Sequence, residues 1–305
     1  MNALILTDGK AGHENQSKAF ARALGCEFTL MPVQFRSKAA KALSYVLDRI
    51  GMQTLSLFND CQPPTGGCQL VIGTGSGTFY AAKTIARHLG VPCGVVLYPR
   101  GYRISGFSCV LAPAFDNPPP APNVIEIPVN LVANDGAFYS AGVAAFRERH
   151  AETGKSAVAV IVGGPNKCST MSPEWMRKQL DGIFSRHQDA EKWVTTSRRT
   201  PPEVEAVVDS FPFDYKLLYS RDHFNPIPAF VSLASHLYVT AESTGMLSEA
   251  CSFGKAVVHV MDNLNPGPHK FRRFAEACAA RGAEKADLSP QFAAARKLLG
   301  ISAAC

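Results

Sequence analysis

The chain has 305 residues, 46% of them hydrophobic and 18% charged. That length accommodates two domains with separate cores, and the apolar content excludes a disordered chain. The formal net charge of +6 suits an anionic small ligand or a loose contact with an acidic membrane surface; it is too weak and too scattered for a nucleic-acid binder, and no recognition module is in view.

Residues 3–7, ALILT, open the chain as a strand. The flanking MNALILTDGK lacks the basic start and long apolar core of a signal peptide. No run of about 18 or more apolar residues marks a membrane-spanning helix. The nine cysteines form no CxxC pair and read as free thiols of a reducing cytosol. A helix follows at 14–24, a strand at 27–33 and a basic amphipathic helix at 37–50. QLVIG (69–73) leads through a glycine-rich turn into a helix near 78–89, and short apolar runs return at 93–99, 108–113 and 123–130. Short apolar strands alternating with helices predict a mainly parallel sheet covered on both faces.

The rhythm restarts after a helix and polar linker at 134–154. Strands are expected at 156–164, 192–196, 215–220, 236–240 and 255–260. Helices are expected at 173–186, 200–211, 226–234, 244–253, 268–281 and 288–300. Ser172–Pro173 is a cap followed by a proline, and Thr200 with Pro201 reads the same way. The fold class is therefore α/β: two doubly wound, Rossmann-like parallel-sheet domains facing across a cleft. The boundary is placed at 1–140 and 141–305, with the last helix a candidate to pack back on the N-terminal domain. Ligands of such sheets bind outside the carboxyl ends of the strands.

The loops at those ends carry the candidate chemistry. After the first strand comes TDGKAGHENQ, residues 7–16. It fits neither GxxxxGK[ST] nor GxGxxG. Gly9 and Gly12 allow a tight turn. His13 could serve as a general base, since imidazole titrates near neutral pH; the plain alternative is a polar residue on an exposed helix start. VIGTGSGT (71–78) supplies Gly75 and Ser76 in a turn that could bind phosphate or merely let strand and helix pack closely.

VGGPNKCSTMSPE (162–174) offers Gly163, Gly164, Asn166 and Lys167 before a helix start, the parts for holding a diphosphate. TTSRRTPPE (195–203) adds Ser197, Arg198 and Arg199, and arginine grips phosphate with a charged fork. TAESTGMLSEA (240–250) places Ser243, Thr244, Gly245 and Met246 at another helix start, with Glu249 two turns beyond Glu242, where a carboxylate could accept ribose hydroxyls. DNLNPGPHKFRRF (262–274) carries Asn265 and His269 at either a ligand loop or a plain helix start.

Taken together, DGKAGHENQ, GGPNK, TSRRTP and TAESTGMLSEA resemble the mitochondrial fission "elongated mitochondria" family of bacteria and plants, over residues 4 to about 274. The resemblance implies a GT-B-like architecture, similar to the glycosyltransferases that use UDP-N-acetylglucosamine in peptidoglycan and lipid A synthesis. In the peptidoglycan enzyme a glycine-rich first loop ends in a histidine thought to activate the acceptor hydroxyl, and His13 matches it. This loop is sparser than the GGTGGH pattern, with Asp8, Lys10 and Ala11 interspersed. Gly163 and Gly164 match a glycine pair that touches phosphate or sugar. Ser243, Thr244 and Gly245 match a turn beside the diphosphate, and Glu249 matches a ribose-binding acid.

The expectation is a metal-independent, inverting transferase that takes a UDP-sugar as substrate, uses no cofactor and binds no metal. Asp8, Lys10, Gly12, Gln16, Gly75 and Ser76 would line the acceptor side, and the acceptor would be an envelope glycan or a lipid-linked one. The expected location is cytoplasmic, with peripheral contact between the 36–50 helix and the inner face of the cell membrane. The alternative of another class is a nucleotide-sugar-binding scaffold without catalysis. A dehydrogenase or epimerase of the dinucleotide-binding kind lacks its GxGxxG loop and its Tyr-x-x-x-Lys pair.

Overall fold

Short runs with no polar face make strands here, and they are buried on both sides. In a computed structural model describing residues 1–64 and 66–302, LVIGT at Leu70–Thr74 and AVAVI at Ala157–Ile161 are buried at every position. Such strands pair in parallel, because the crossover helices cover both faces.

In chain order, the first sheet contains β1 (Asn2–Thr7), β2 (Glu27–Pro32), β3 (Leu70–Thr74), β4 (Cys93–Val96), β5 (Cys109–Pro113) and β6 (Val124–Ile127). Helices α1 (Ala11–Ala23), α2 (Lys38–Arg49) and α3 (Phe79–Leu89) alternate with them. After α4 (Gly136–Arg147), the second sheet contains β7 (Ala157–Ile161), β8 (Glu191–Thr195), β9 (Tyr215–Leu217), β10 (His236–Thr240) and β11 (Val257–Met261). Its helices are α5 (Pro173–Arg186), α6 (Pro202–Ser210), α7 (Ile227–Leu233), α8 (Thr244–Ser252) and α9 (Lys270–Arg281). Helix α10 (Ser289–Leu299) closes the chain.

Among the described residues the strand orders are β2-β1-β3-β4-β5-β6 and β11-β10-β7-β8-β9, all parallel. Each order reverses once, between β1 and β3 in the first sheet and between β7 and β10 in the second. At such a reversal two neighbouring strand ends send their chains away in opposite directions, which leaves a crevice for a ligand.

The chain divides into two compact units. One is Met1–Ala133 with the chain from Asp287 onward; the other is Asn134–Ala286. The expected boundary at 140 therefore moves to 133/134. Helix α4 belongs wholly to the second unit, where Gly142 lets it close on Pro228 and Phe146 is buried against Trp193, Tyr215 and Phe230. Helix α10 returns to the first unit. Ala295 and Leu299 pack with Ala3, Ile5 and Phe20, and Arg296 donates to the Ala23 carbonyl at 2.6 Å.

Two helix starts differ from expectation. Helix α1 begins at Ala11, not 14, and takes Gly12 and His13 into its first turn. The turn itself falls on Gly9 alone, at φ +78°. Helix α6 begins at Pro202 without a side-chain cap. Thr200 is occupied elsewhere, donating to the Gly163 carbonyl at 2.6 Å and accepting the Ser197 N–H at 2.9 Å.

Candidate functional site

Each unit gathers its candidate residues at its own strand reversal. In the first unit, Asp8 directly follows β1 and His13 sits in the first turn of α1. The Asp8 carboxylate meets His13 Nδ1 at 3.1 Å and Lys10 Nζ at 3.0 Å. An ionised carboxylate can only accept, so Nδ1 is the donor of this pair. Burial pushes the Asp8 carboxyl up, but the Lys10 hydrogen bond and the charges of His13 and Lys10 outweigh it and hold it below the usual range.

The glycine turn after β3 makes room for this pair. A Cβ on Gly75 would run into the His13 ring, and one on Gly77 would lie 2.7 Å from Asp8 Cβ. Gly75 also has φ +82°, so the position rejects a side chain for conformational reasons as well. Ser76 accepts from Lys41 of α2 at 2.8 Å, and Ser17 of α1 meets Thr74 at 2.6 Å. Asp8, Lys10, His13, Gly75 and Ser76 therefore belong to one cluster. Gly12 is exposed with open space around it. The Gln16 Oε1 is buried without a hydrogen-bond partner among the described residues.

In the second unit the loops after β7 and β10 interlock. Gly163 N–H donates to Thr240 Oγ1 at 2.9 Å, and Gly164 N–H donates to Glu242 Oε1 at 2.8 Å. The same oxygen accepts the Thr240 and Ser243 hydroxyls, each at 3.0 Å. A Cβ on Gly163 would collide with Glu242 and Ser243, and one on Gly164 with the Arg199 backbone. Both glycines are there for close approach.

Ser243 precedes α8 but gives its hydroxyl to Glu242, so no side chain caps that helix. The N–H groups of Gly245 and Met246 stand in its first turn, beside Thr244. This is the arrangement that receives anionic oxygens. Lys167, Arg198 and Arg199 are exposed on the neighbouring loops, with no carboxylate in ion-pair contact among the described residues. The Asn166 side chain shapes its own loop by accepting the Cys168 N–H at 2.7 Å.

Two residues outside the expected set stand out. Glu242 is 3% exposed, yet its Oε2 has no hydrogen-bond partner among the described residues. Asn263, 5% exposed, has neither side-chain atom bonded. β10 and β11 run in register, Thr240 beside Met261, so these groups follow adjacent strand ends two residues on. Buried polar groups without partners are rare in a finished interior; an ordered water or a ligand would complete them.

Glu249 lies elsewhere on α8. It accepts from Asn134 Nδ2 at 3.2 Å beside the Tyr139 ring, and burial pushes its carboxyl up. His269, expected as a candidate ligand residue, caps α9 by accepting the Arg272 N–H at 3.3 Å.

With this geometry in hand, the match to a known family carries weight. The profile described as "Mitochondrial fission ELM1" fits residues 11–291. The chain belongs to this family. The ELM1-family segment holds every loop described above except Asp8–Lys10. An uncharacterised protein, RP120 of Rickettsia prowazekii, is 28% identical over 152 residues, which is 47% of this chain and 43% of that one. The match thus spans less than half of that relative.

Among solved structures, UDP-GlcNAc 2-epimerase from Methanocaldococcus jannaschii aligns with a TM-score of 0.52 at 12% identity, covering 98% of this chain and 92% of that one. UDP-GlcNAc 2-epimerase from Neisseria meningitidis bound to UDP-GlcNAc gives 0.50 at 13%, with coverage of 99% and 95%. A co-structure of S. aureus MnaA with UDP gives 0.50 at 11%, with coverage of 95% and 94%. At such identities the likeness is one of fold, and the ELM1-family chain has a GT-B-like fold built from two Rossmann-like units.

Proposed function

We propose that this chain binds a UDP-sugar through its second unit and transfers the sugar, with inversion, to the hydroxyl of a glycan or lipid-linked acceptor. The observation that carries the reading is the Glu242 carboxylate. It ties the Gly164 N–H and the Ser243 hydroxyl to one oxygen and keeps its second oxygen buried and without a partner among the described residues. A sugar hydroxyl is the donor that such an oxygen lacks, and the Asn263 amide, which follows the adjacent strand end, suits a group that both donates and accepts. The GT-B-like neighbours with bound UDP or UDP-GlcNAc support a ligand of this class.

The division of roles follows. The first-turn N–H groups of α8 and the side chains of Lys167, Arg198 and Arg199 receive the diphosphate and neutralise the charge that grows on it. No step in this scheme requires a metal ion. Glu249, expected to bind ribose, is bonded to Asn134 elsewhere on α8 and takes no part in this scheme. His13, with Asp8 at Nδ1, takes the acceptor proton on Nε2. The acceptor oxygen then forms its bond to the anomeric carbon as the bond from that carbon to the phosphate oxygen breaks. The leaving UDP keeps the electron pair.

Thermal unfolding with UDP, GDP, CDP and NAD tests the donor. A ligand at about 100 times its Kd adds roughly 2.7 kcal/mol to the unit that binds it. Stabilisation by UDP, lost in Arg198→Ala, is the expected result; no response to any nucleotide refutes the reading. Incubation with UDP-GlcNAc separates the chemistries. Binding without turnover favours the scaffold alternative. Inversion at C2 of the sugar without transfer means epimerase chemistry.

A further inference from the structure

Helix α2 packs Ala40, Tyr45 and Leu47 against the core, yet it carries a second apolar stripe on its outer side. A helix lying on a sheet ordinarily buries its apolar stripe. Here Ser44 and Asp48 are the fully buried positions, while Leu43 is 46% exposed, Val46 54% and Ile50 63%. Ala39 and Ala42 are exposed as well. These five residues fall within an arc of roughly 100° of the helix. Met52, 57% exposed, continues the apolar surface just past the helix end.

The orientation is held by specific polar contacts on the inward side. Lys41 donates to Ser76 at 2.8 Å, Ser44 meets the Tyr102 hydroxyl at 2.8 Å, and Asp48 meets Lys83 at 2.7 Å. Tyr45 stacks on Tyr102 with ring centroids 4.4 Å apart. The helix cannot roll Leu43 and Val46 inward without breaking a buried ion pair. The outward ridge is a fixed feature of the fold.

We infer that this ridge docks the protein on an anionic lipid bilayer. Lys38 and Arg49 flank the ridge and are exposed. The one acid of the helix, Asp48, points inward. An apolar ridge with a cationic flank matches the interface of a bilayer that carries anionic headgroups. The patch is one helix wide, whereas a stable protein–protein interface buries about 800 Å² on each partner. A few inserted side chains with cationic help suffice for reversible membrane binding. The inference stands apart from the nucleotide reading, because the exposed residues that would meet lipid lie on α2 and the turn after it.

The test is co-sedimentation of the full chain with phosphatidylcholine vesicles, with and without phosphatidylglycerol. Binding to the anionic vesicles alone is expected. Val46→Asp with Ile50→Asp should weaken the partition at least about tenfold, and Lys38→Glu with Arg49→Glu should remove its salt dependence. The milder Val46→Ser should fall between. These positions are exposed, so the variants should keep the wild-type melting temperature and the same response to UDP. Equal sedimentation of all variants, or none of the wild type, overturns the inference. So does a wild-type dimer that Val46→Asp with Ile50→Asp dissociates while lipid binding is absent.

Discussion

Asp8 faces His13 Nδ1 with both carboxylate oxygens at 3.1 Å, across a glycine turn that leaves no room for a side chain at either Gly75 or Gly77. An imidazole held this way keeps its ring orientation, which suits the proton-accepting role proposed for it. His13→Ala is expected to lower turnover about 10²–10⁴-fold while UDP still raises the melting temperature as in the wild type. Asp8→Asn should lose less, because an amide can still hold the ring in one of its orientations. The double variant should be little worse than His13→Ala, since the two residues act as one unit. Steady-state rates of the three proteins settle the matter; additive losses would separate the residues.

Glu242 gives a second discrimination. Glu242→Gln retains an oxygen for the Gly164 N–H but replaces the unbonded oxygen with a donor. The expected outcome is weaker binding of the UDP-sugar with UDP affinity kept, measured by calorimetry. Gly163→Ala should act differently. Its methyl group would displace Glu242 and Ser243, with a loss of stability on the order of 1–3 kcal/mol and weaker binding of both ligands.

The buried pair Lys83–Asp48 offers a stability test independent of function. The two side chains are 4% and 2% exposed, and Lys83 also donates to the Arg103 carbonyl at 2.8 Å. Burial pulls the Lys83 amine down while Asp48 pushes it back up. Lys83→Met leaves a buried carboxylate with the Arg103 N–H but no countercharge and should destabilise by about 3–5 kcal/mol. Adding Asp48→Leu should recover much of that in urea unfolding. A single variant as stable as the wild type would show that the carboxylate finds water.

A cluster of histidines predicts how acid weakens the second unit. His236 Nδ1 meets His259 Nε2 at 2.9 Å, and His187 Nε2 meets the Tyr238 hydroxyl at 2.9 Å, which also accepts from Arg186. Burial lowers the pKa of both His187 and His259, and repulsion from His236 and Arg186 adds to it, with Lys192 also facing His187. The folded form therefore binds fewer protons than the unfolded chain just below the ordinary imidazole value of about 6.5. Stability is complete above that value and falls as pH drops toward the depressed folded values. His259→Phe keeps the ring stacked on Tyr238 and should flatten this slope. Urea midpoints between about pH 7.5 and about pH 5 report it; an unchanged slope would place the acid sensitivity elsewhere.

Much of this molecule is local, and so legible in the chain. Runs such as AVAVI and LVIGT have no polar face, so they are strands buried in parallel sheets. The glycines and hydroxyls of GGPNK and ESTGM lie where such strands end, and Ser172 with Pro173 starts a helix where its residues require. The family follows from the order of these motifs. What stayed hidden were relations between loops. Asp8 read as an interruption of a glycine pattern, yet it is the partner of His13. Thr200 read as a helix cap and instead binds the loop after β7.

The sequence by itself determined the alternation of elements, the loops that end the strands and the family, because periodicity, turn chemistry and helix caps act over a few residues. Only the tertiary structure decided which loops meet. β10 pairs with β7, and that crossover alone brings Glu242 to Gly164 across a separation of 78 residues. It also decided which face of α2 turns inward, since two buried polar anchors outweigh the pull of the core on Leu43 and Val46. Neither relation has a local signal; both follow from the order in which strands and helices close on one another.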